Sequence, residues 1–199
     1  VYSIWGTDII MIENIKSQQL ISKYYPSGTN GVVNGTEIKS IIFSPNDKYV
    51  AGFIKNRYTG EGKGVAILQF QNGELEFSKE LPIPKDYFFF SQNLSFSPDE
   101  KYLISTSRGI HFLWDVEIGK LVGTFAPELH RQWSWVSTFS QDGKYIACAS
   151  QNNDIDLWDF KKLIEFNYDK LPNLSVKDIS ISFYGGSGDS TLYSGKEGY

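Results

Sequence analysis

Two histidines and one cysteine are all that the sequence offers for imidazole or thiol chemistry. His111 stands mid-run beside Phe112, which suits a packed or edge histidine better than a catalytic base. His130 is taken up below. Cys148 lies in the apolar run Ile146-Ala147-Cys148-Ala149, where small side chains let sheets approach. A lone thiol makes neither a disulfide framework nor a thiolate metal site, so a packing role is expected. Asp154 and Asp156 alternate on one strand face, but a metal needs further ligands, and a solvated face is expected. Gly60-Glu61-Gly62-Lys63-Gly64 lacks phosphate-loop spacing and no helix follows it. It reads as a mobile hairpin tip, as does Gly185-Gly186-Ser187-Gly188. The expectation is a protein that is not an enzyme, with no catalytic residue, metal or cofactor.

The elements around these residues are short and β-rich. The chain has 199 residues, with 14 Phe, 12 Tyr and 5 Trp, enough for a sizeable core. Frequent aromatics punctuated by Gly and Pro suit an all-β protein with many hairpins. Net charge is −4 with no basic stripe, which argues against a nucleic-acid partner. No apolar run approaches the ~20 residues of a membrane-spanning helix, and no signal segment opens the chain. The single cysteine is compatible with a reducing compartment, and a cytoplasmic location is expected.

The strongest pattern is a repeat. Phe43-Ser44-Pro45-Asn46-Asp47-Lys48-Tyr49-Val50 returns as Phe96-Ser97-Pro98-Asp99-Glu100-Lys101-Tyr102-Leu103 and as Phe139-Ser140-Gln141-Asp142-Gly143-Lys144-Tyr145-Ile146. Phe183-Tyr184-Gly185-Gly186 looks like a degenerate fourth copy. Short strands repeating every ~40–45 residues fit one four-stranded β-propeller blade per repeat. The first step is longer, so an insertion is expected around Lys55 to Lys63.

Within each repeat the strands can be placed. Ile41 with Phe43, Leu94 with Phe96, and Ile179 with Ile181 and Phe183 share a parity, the mark of a strand's buried face. The next turn calls for positive φ, which Gly143 supplies freely. Asp tolerates that conformation better than Glu, so the Glu100 turn is expected to be distorted. Lys-Tyr-aliphatic then opens each second strand, the Tyr shielding an edge and the aliphatic pointing inward. Third strands are predicted at Val65 to Phe70, Ile110 to Trp114 and Ile155 to Trp158. Fourth strands are predicted at Glu74 to Ser78, Lys120 to Phe125 and Leu163 to Phe166. Near the start, Ile9 to Asn14, a turn at Lys16 to Gln18, and Gln19 to Tyr24 lie onto Ile110 to Phe125, with Glu13-Asn14 over Trp114-Asp115. Tyr87-Phe88-Phe89-Phe90 is expected to be buried between blades. The domain reading is one propeller segment: a partial blade over 1–25, blades over about 37–80, 90–126 and 133–167, and a partial blade over 176–199. The chain is expected to be part of a longer protein.

The spacing from Phe139 to Leu157-Trp158-Asp159 resembles the WD-repeat family. In that family a His before the first strand, a Ser or Thr ending the second, an Asp in the next turn and a Trp in the third form a hydrogen-bonded chain. The resemblance places His130, Ser150, Asn152 and Trp158 at those positions. Asn152 replaces the carboxylate and Leu129 the Gly before the His, so a weaker chain is expected. The repeat that begins at Phe96, third when the partial blade over 1–25 is counted first, keeps Ser107, Trp114 and Asp115 but has Arg108-Gly109 as its turn and no preceding His. The second ends in Leu68-Gln69-Phe70.

The resemblance implies a non-catalytic interaction or sensing scaffold. It would bind protein partners or other domains of the same chain, not nucleic acid or membrane. Trp133, Trp135 and Arg131, where the family's top-face residues enter the first strand, and Arg108 are the candidate contacts, Trp and Arg being enriched at interface hot spots. Trp135 also shares parity with Phe139, the pattern of a core residue. The alternative is an accessory propeller of a hydrolase or peptidase whose catalytic domain lies elsewhere.

Overall fold

In a computed structural model the structure describes residues 2–3, 9–14, 17–25, 35–83, 91–107, 109–125, 134–150, 155–165, 180–183 and 193–194. The chain forms two compact units, Val1–Leu94 and Ser95–Tyr199, with the division falling inside a strand. The first unit holds a three-stranded sheet, β1 (Tyr2–Ser3), β2 (Ile10–Asn14) and β3 (Gln19–Tyr24). Beside it is a four-stranded sheet, β4 (Thr36–Phe43), β5 (Tyr49–Asn56), β6 (Gly62–Gln71) and β7 (Glu74–Pro82). Next come β8 (Ser91–Phe96), β9 (Tyr102–Ser107), β10 (Ile110–Asp115) and β11 (Lys120–Phe125), another four-stranded sheet. The last sheet has five strands, β12 (Ser134–Phe139), β13 (Tyr145–Ser150), β14 (Ile155–Asp159), β15 (Ser180–Phe183) and β16 (Tyr193–Ser194), with helix α1 (Phe160–Glu165) after β14. Every pairing described residue by residue is antiparallel. The protein is all-β, built from the four-stranded antiparallel sheets of propeller blades.

The repeated motif folds the same way three times. Phe43, Phe96 and Phe139 each end a first strand, and Tyr49, Tyr102 and Tyr145 each open a second. Between them the serine hydroxyl accepts the tyrosine N–H at 2.9 Å, from Tyr49 to Ser44, Tyr102 to Ser97 and Tyr145 to Ser140. Ser97 donates to Asp99 Oδ1 at 2.6 Å and Ser140 to Asp142 Oδ1 at 2.7 Å. Those hydrogen bonds, first among them the one from Ser140, hold the Asp142 carboxyl down at about 2. The recurring Ser and Asp thus tie a reversal whose backbone groups have no strand partner. Lys101–Asp99 and Lys144–Asp142 ion pairs sit outside, exposed, where solvent screens such pairs. The aliphatic after each tyrosine, Val50, Leu103 or Ile146, is fully buried, contributing about 1.5–3 kcal/mol apiece. Burial, not charge, holds the hairpin down.

The turn position does require positive φ: 58° at Asp47, 61° at Glu100 and 71° at Gly143. The expected distortion at Glu100 is absent. Its N–H reaches Ser97 O at 2.9 Å, matching Gly143 to Ser140 at 2.9 Å and Asp47 to Ser44 at 3.0 Å. Glu100 accepts the left-handed conformation because the hydrogen bonds around it fix the backbone.

Outer turns repeat as well. Asn14 Oδ1 accepts from Ser17 N at 3.1 Å, as Asp115 Oδ1 accepts from Ile118 N at 2.8 Å. Gln18 (φ 54°) and Gly119 (φ 76°) then follow in left-handed conformations, so Glu13-Asn14 lies over Trp114-Asp115 as expected. Asn72-Gly73, both at positive φ, links β6 to β7 in the two-residue turn that matches strand twist. A register shift, legible in no sequence pattern, recurs at Ile12/Glu13, Ile67/Leu68 and Leu113/Trp114. Such a bulge bends the outer strand and raises its twist.

Four expectations are corrected. Leu163 to Phe166 is not a fourth strand: Phe160–Glu165 is helical. Asp159 Oδ1 accepts from Lys162 N at 3.1 Å, a helix cap, and Leu163 is buried. The strand paired with β14 is Ser180–Phe183, with Ile155 opposite Phe183. Phe183 therefore ends the strand beyond β14, not the first strand of a new sheet. The extra length of the first step lies mainly in the strands. Only Arg57–Glu61 separates β5 from β6, and Asn56 Oδ1 accepts from Tyr58 N and Thr59 N at 2.8 and 3.1 Å. Gly64 is buried inside β6, where a Cβ would lie 2.5 Å from Leu81 O, so close approach to β7 explains that glycine. Trp135 is skipped by the register between Ser134 and Val136, so the parity argument does not reach it. Tyr87 to Phe90 and Gly185 to Gly188 lie outside the described residues.

Relief of backbone strain at the turn is measurable. Glu100→Gly is expected to stabilise by about 0.5–1 kcal/mol and Gly143→Ala to destabilise by about 1 kcal/mol. Urea midpoints with unchanged m-values check both.

Candidate functional site

In the second unit the strands β9 and β10 are buried along nearly their whole length. The register sets Thr106 opposite His111, Ser105 opposite Phe112 and Leu103 opposite Trp114. Alternation therefore puts Ile104, Thr106, His111 and Leu113 on one face, and Leu103, Ser105, Phe112 and Trp114 on the other. Both faces carry polar side chains with no water to satisfy them, so each must find a protein partner.

On one face, Trp114 Nε1 donates to Ser105 Oγ at 2.9 Å. On the other, Thr106 Oγ1 lies 2.9 Å from His111 Nδ1 and 2.8 Å from Ser137 Oγ on β12. Thr106 thus joins sheet β8–β11 to the sheet packed on it. His111 is 0% exposed and stacks on Phe125 with ring centroids 4.9 Å apart. Burial pushes its imidazole down to about 3, so the ring is neutral. Its Nε2 has no hydrogen-bond partner among the described residues.

The polar row continues. Ser137 pairs with Cys148, and Cys148 with Asp156, so all three share the face that meets β9 and β10. One register step along, the same face carries Phe139, Ile146 and Trp158. These pack with Ile104, Leu113 and Phe125. Cys148 is buried, and burial first, then the Asp156 charge, raises its thiol well above the ordinary value. This suits the packing role and an unreactive thiol. Asp156 corrects the expectation of a solvated face: it is 9% exposed. Asp154 lies outside the described residues. Among the described residues no three His, Cys, Asp or Glu side chains cluster to hold a metal.

Of the hydrogen-bonded chain expected from the resemblance, only the Trp158 side chain is described. Trp158 is buried as expected, but its Nε1 has no partner among the described residues. In the repeat that begins at Phe96 the indole of Trp114 uses Ser105, not Ser107. The register position matching Ser105 in the last sheet is Cys148. His130 and Asn152 lie outside the described residues, as do Arg108, Arg131 and Trp133, and only the backbone of Ser150 and Trp135 is described. The Thr106–Ser137 bridge was missed by sequence reasoning. Its signal was Ser105-Thr106-Ser107, three hydroxyls in a strand flanked by Leu103 and Ile104.

Residues 119–159 match the family model described as WD domain, G-beta repeat. The matched stretch runs from the turn before β11 through β12, β13 and β14, and the protein thus contains a WD repeat. No curated protein matches the chain.

Truncation separates these roles. Trp158→Ala is expected to cost about 3–5 kcal/mol, as for other large-to-small core changes. Ser105→Ala, which leaves the Trp114 indole N–H unpaired, should cost about 1–3 kcal/mol. Cys148→Ser restores the hydroxyl found in the neighbouring sheet and should cost less than either. Denaturant unfolding of the three variants checks the order.

Proposed function

We propose that this protein is a non-catalytic docking platform for protein partners or for other domains of the same chain, working in the cytoplasm. The observation that carries the reading is the WD repeat built into antiparallel sheets. Its interior hydroxyls are engaged in holding sheets together: Ser105 holds an indole, and Thr106 and Ser137 bridge two sheets. Ser-His contact of the kind a nucleophile needs would have to be reachable by substrate, and His111 is sealed. Recognition then falls to the loops at the strand ends, as is usual on a rigid scaffold.

Arg108 follows Ser107 at the end of β9, and Arg131, Trp133 and Trp135 stand just before or within the start of β12. The Thr106–Ser137 bridge brings those two strand ends together, which favours these four residues as one contact patch. No helix among the described residues is long and apolar enough to cross a membrane. Neither nucleic acid nor a membrane is part of the reading.

Quantitative affinity capture with the intact chain, wild type against the Arg131→Ala/Trp133→Ala variant, tests the reading. Hot-spot truncation should weaken capture of a reproducible protein partner about tenfold or more, with the unfolding midpoint unchanged. Capture that is identical in both forms, or loss that follows loss of folding, overturns the assignment of the patch.

A further inference from the structure

We propose that the seam between sheet β8–β11 and strands β12–β14 is an acid-released contact, opened when the imidazole of His111 takes up a proton. The geometry makes the neutral ring the only comfortable occupant. In the tautomer with Nδ1–H donating to Thr106 Oγ1, and Thr106 donating on to Ser137, Nε2 buries only a lone pair. Protonation puts an N–H and a positive charge there, facing no acceptor among the described residues. An unpaired charge inside a low-dielectric interface is far more costly than an unpaired lone pair.

Among the described residues the surroundings offer no relief. β9 presents Thr106, β11 presents Phe125 and β12 presents Ser137. The titratable groups on the remaining elements of the seam are Cys148 on β13 and Asp156 on β14, in the row that Ser137 begins. Burial is the cause of the depression at His111, and Cys148 stands between Asp156 and Ser137 in that row. Tyr102, Asp115 and Lys120 lie at the far end of their strands, four residues or more from the His111 row, and Tyr145 and Asp159 lie three residues from Cys148 and Asp156, on the opposite face by strand alternation. The first sheet, by contrast, has Ile10 at the matching position, paired with Tyr24 as His111 is with Phe125. The first unit therefore has no such group at this place.

The direction follows from linkage. A histidine whose folded value is depressed to about 3 gives stability that is complete above its ordinary value, about 6.5, and is lost as pH falls from there. One proton taken up on opening raises the open-to-closed ratio by up to about tenfold per pH unit below 6.5, or about thirtyfold in all from pH 7.5 to 5.

Two measurements on the intact chain test this. Denaturant unfolding between pH 7.5 and 5 should show that slope in wild type and in His130→Gln, the other histidine, and lose it in His111→Ile, which copies Ile10. Hydrogen exchange, corrected for its intrinsic pH dependence, should lose protection first over residues 102–115 and 134–150 at pH 5, while residues 36–56 stay protected. A slope that persists in His111→Ile, or deprotection spread equally over both units, overturns the proposal. If His111→Ile does not fold, the wild-type exchange pattern decides by itself.

Discussion

Sheets covered on both faces impose the constraint that governs this protein: a polar side chain on their central strands must find its partners within the protein or go unpaired. β9 and β10 show the consequence. Leu103, Ile104, Phe112, Leu113 and Trp114 provide the apolar burial. Ser105, Thr106 and His111 remain among them, and each is tied to a neighbour. Because Thr106 finds its second partner on β12, meeting the constraint also fixes how one sheet sits on the next. Packing and hydrogen bonding are thus one constraint seen from two sides.

The hairpin turns solve a different problem, outside the core. Each reversal between first and second strand needs a left-handed residue and a substitute for missing strand partners. The serine hydroxyl and the carboxylate two residues on supply the substitute in two repeats, and the serine does so in all three. The turn therefore tolerates Asp, Glu or Gly at the strained position, since local hydrogen bonds dictate the backbone and the residue only modulates the strain. Such a unit can be repeated with little sequence identity, which explains why the spacing is clearer than the residues.

The repeats diverge where burial allows a choice. The indole of Trp114 meets Ser105, while that of Trp158 faces the place of Cys148. His111 occupies a site that the first sheet gives to Ile10, and Phe125 one that it gives to Tyr24, whose buried hydroxyl has no partner among the described residues. Each swap keeps volume and changes polarity. Shape is therefore what the sheets share, and polarity is what distinguishes them, including the imidazole sealed at a sheet–sheet seam.

Strand order, hairpin positions, the positive-φ turn and the inward aliphatic of each second strand were legible in the sequence. They follow from period-two burial and local turn chemistry, which act between near neighbours. The overlay of Asn14 on Asp115 belongs there too, since both cap a turn through the same short contact. The tertiary structure alone decided matters that depend on distant chain. Helix α1 stands where a strand was expected, because β14 takes Ser180–Phe183 as its neighbour and frees Phe160–Glu165 to coil. Asp156 is buried and not solvated, because the face it shares with Ser137 and Cys148 is the one covered by β9 and β10. The Thr106–Ser137 bridge links residues of two sheets, and no spacing within either strand encodes which hydroxyl a neighbouring sheet will present.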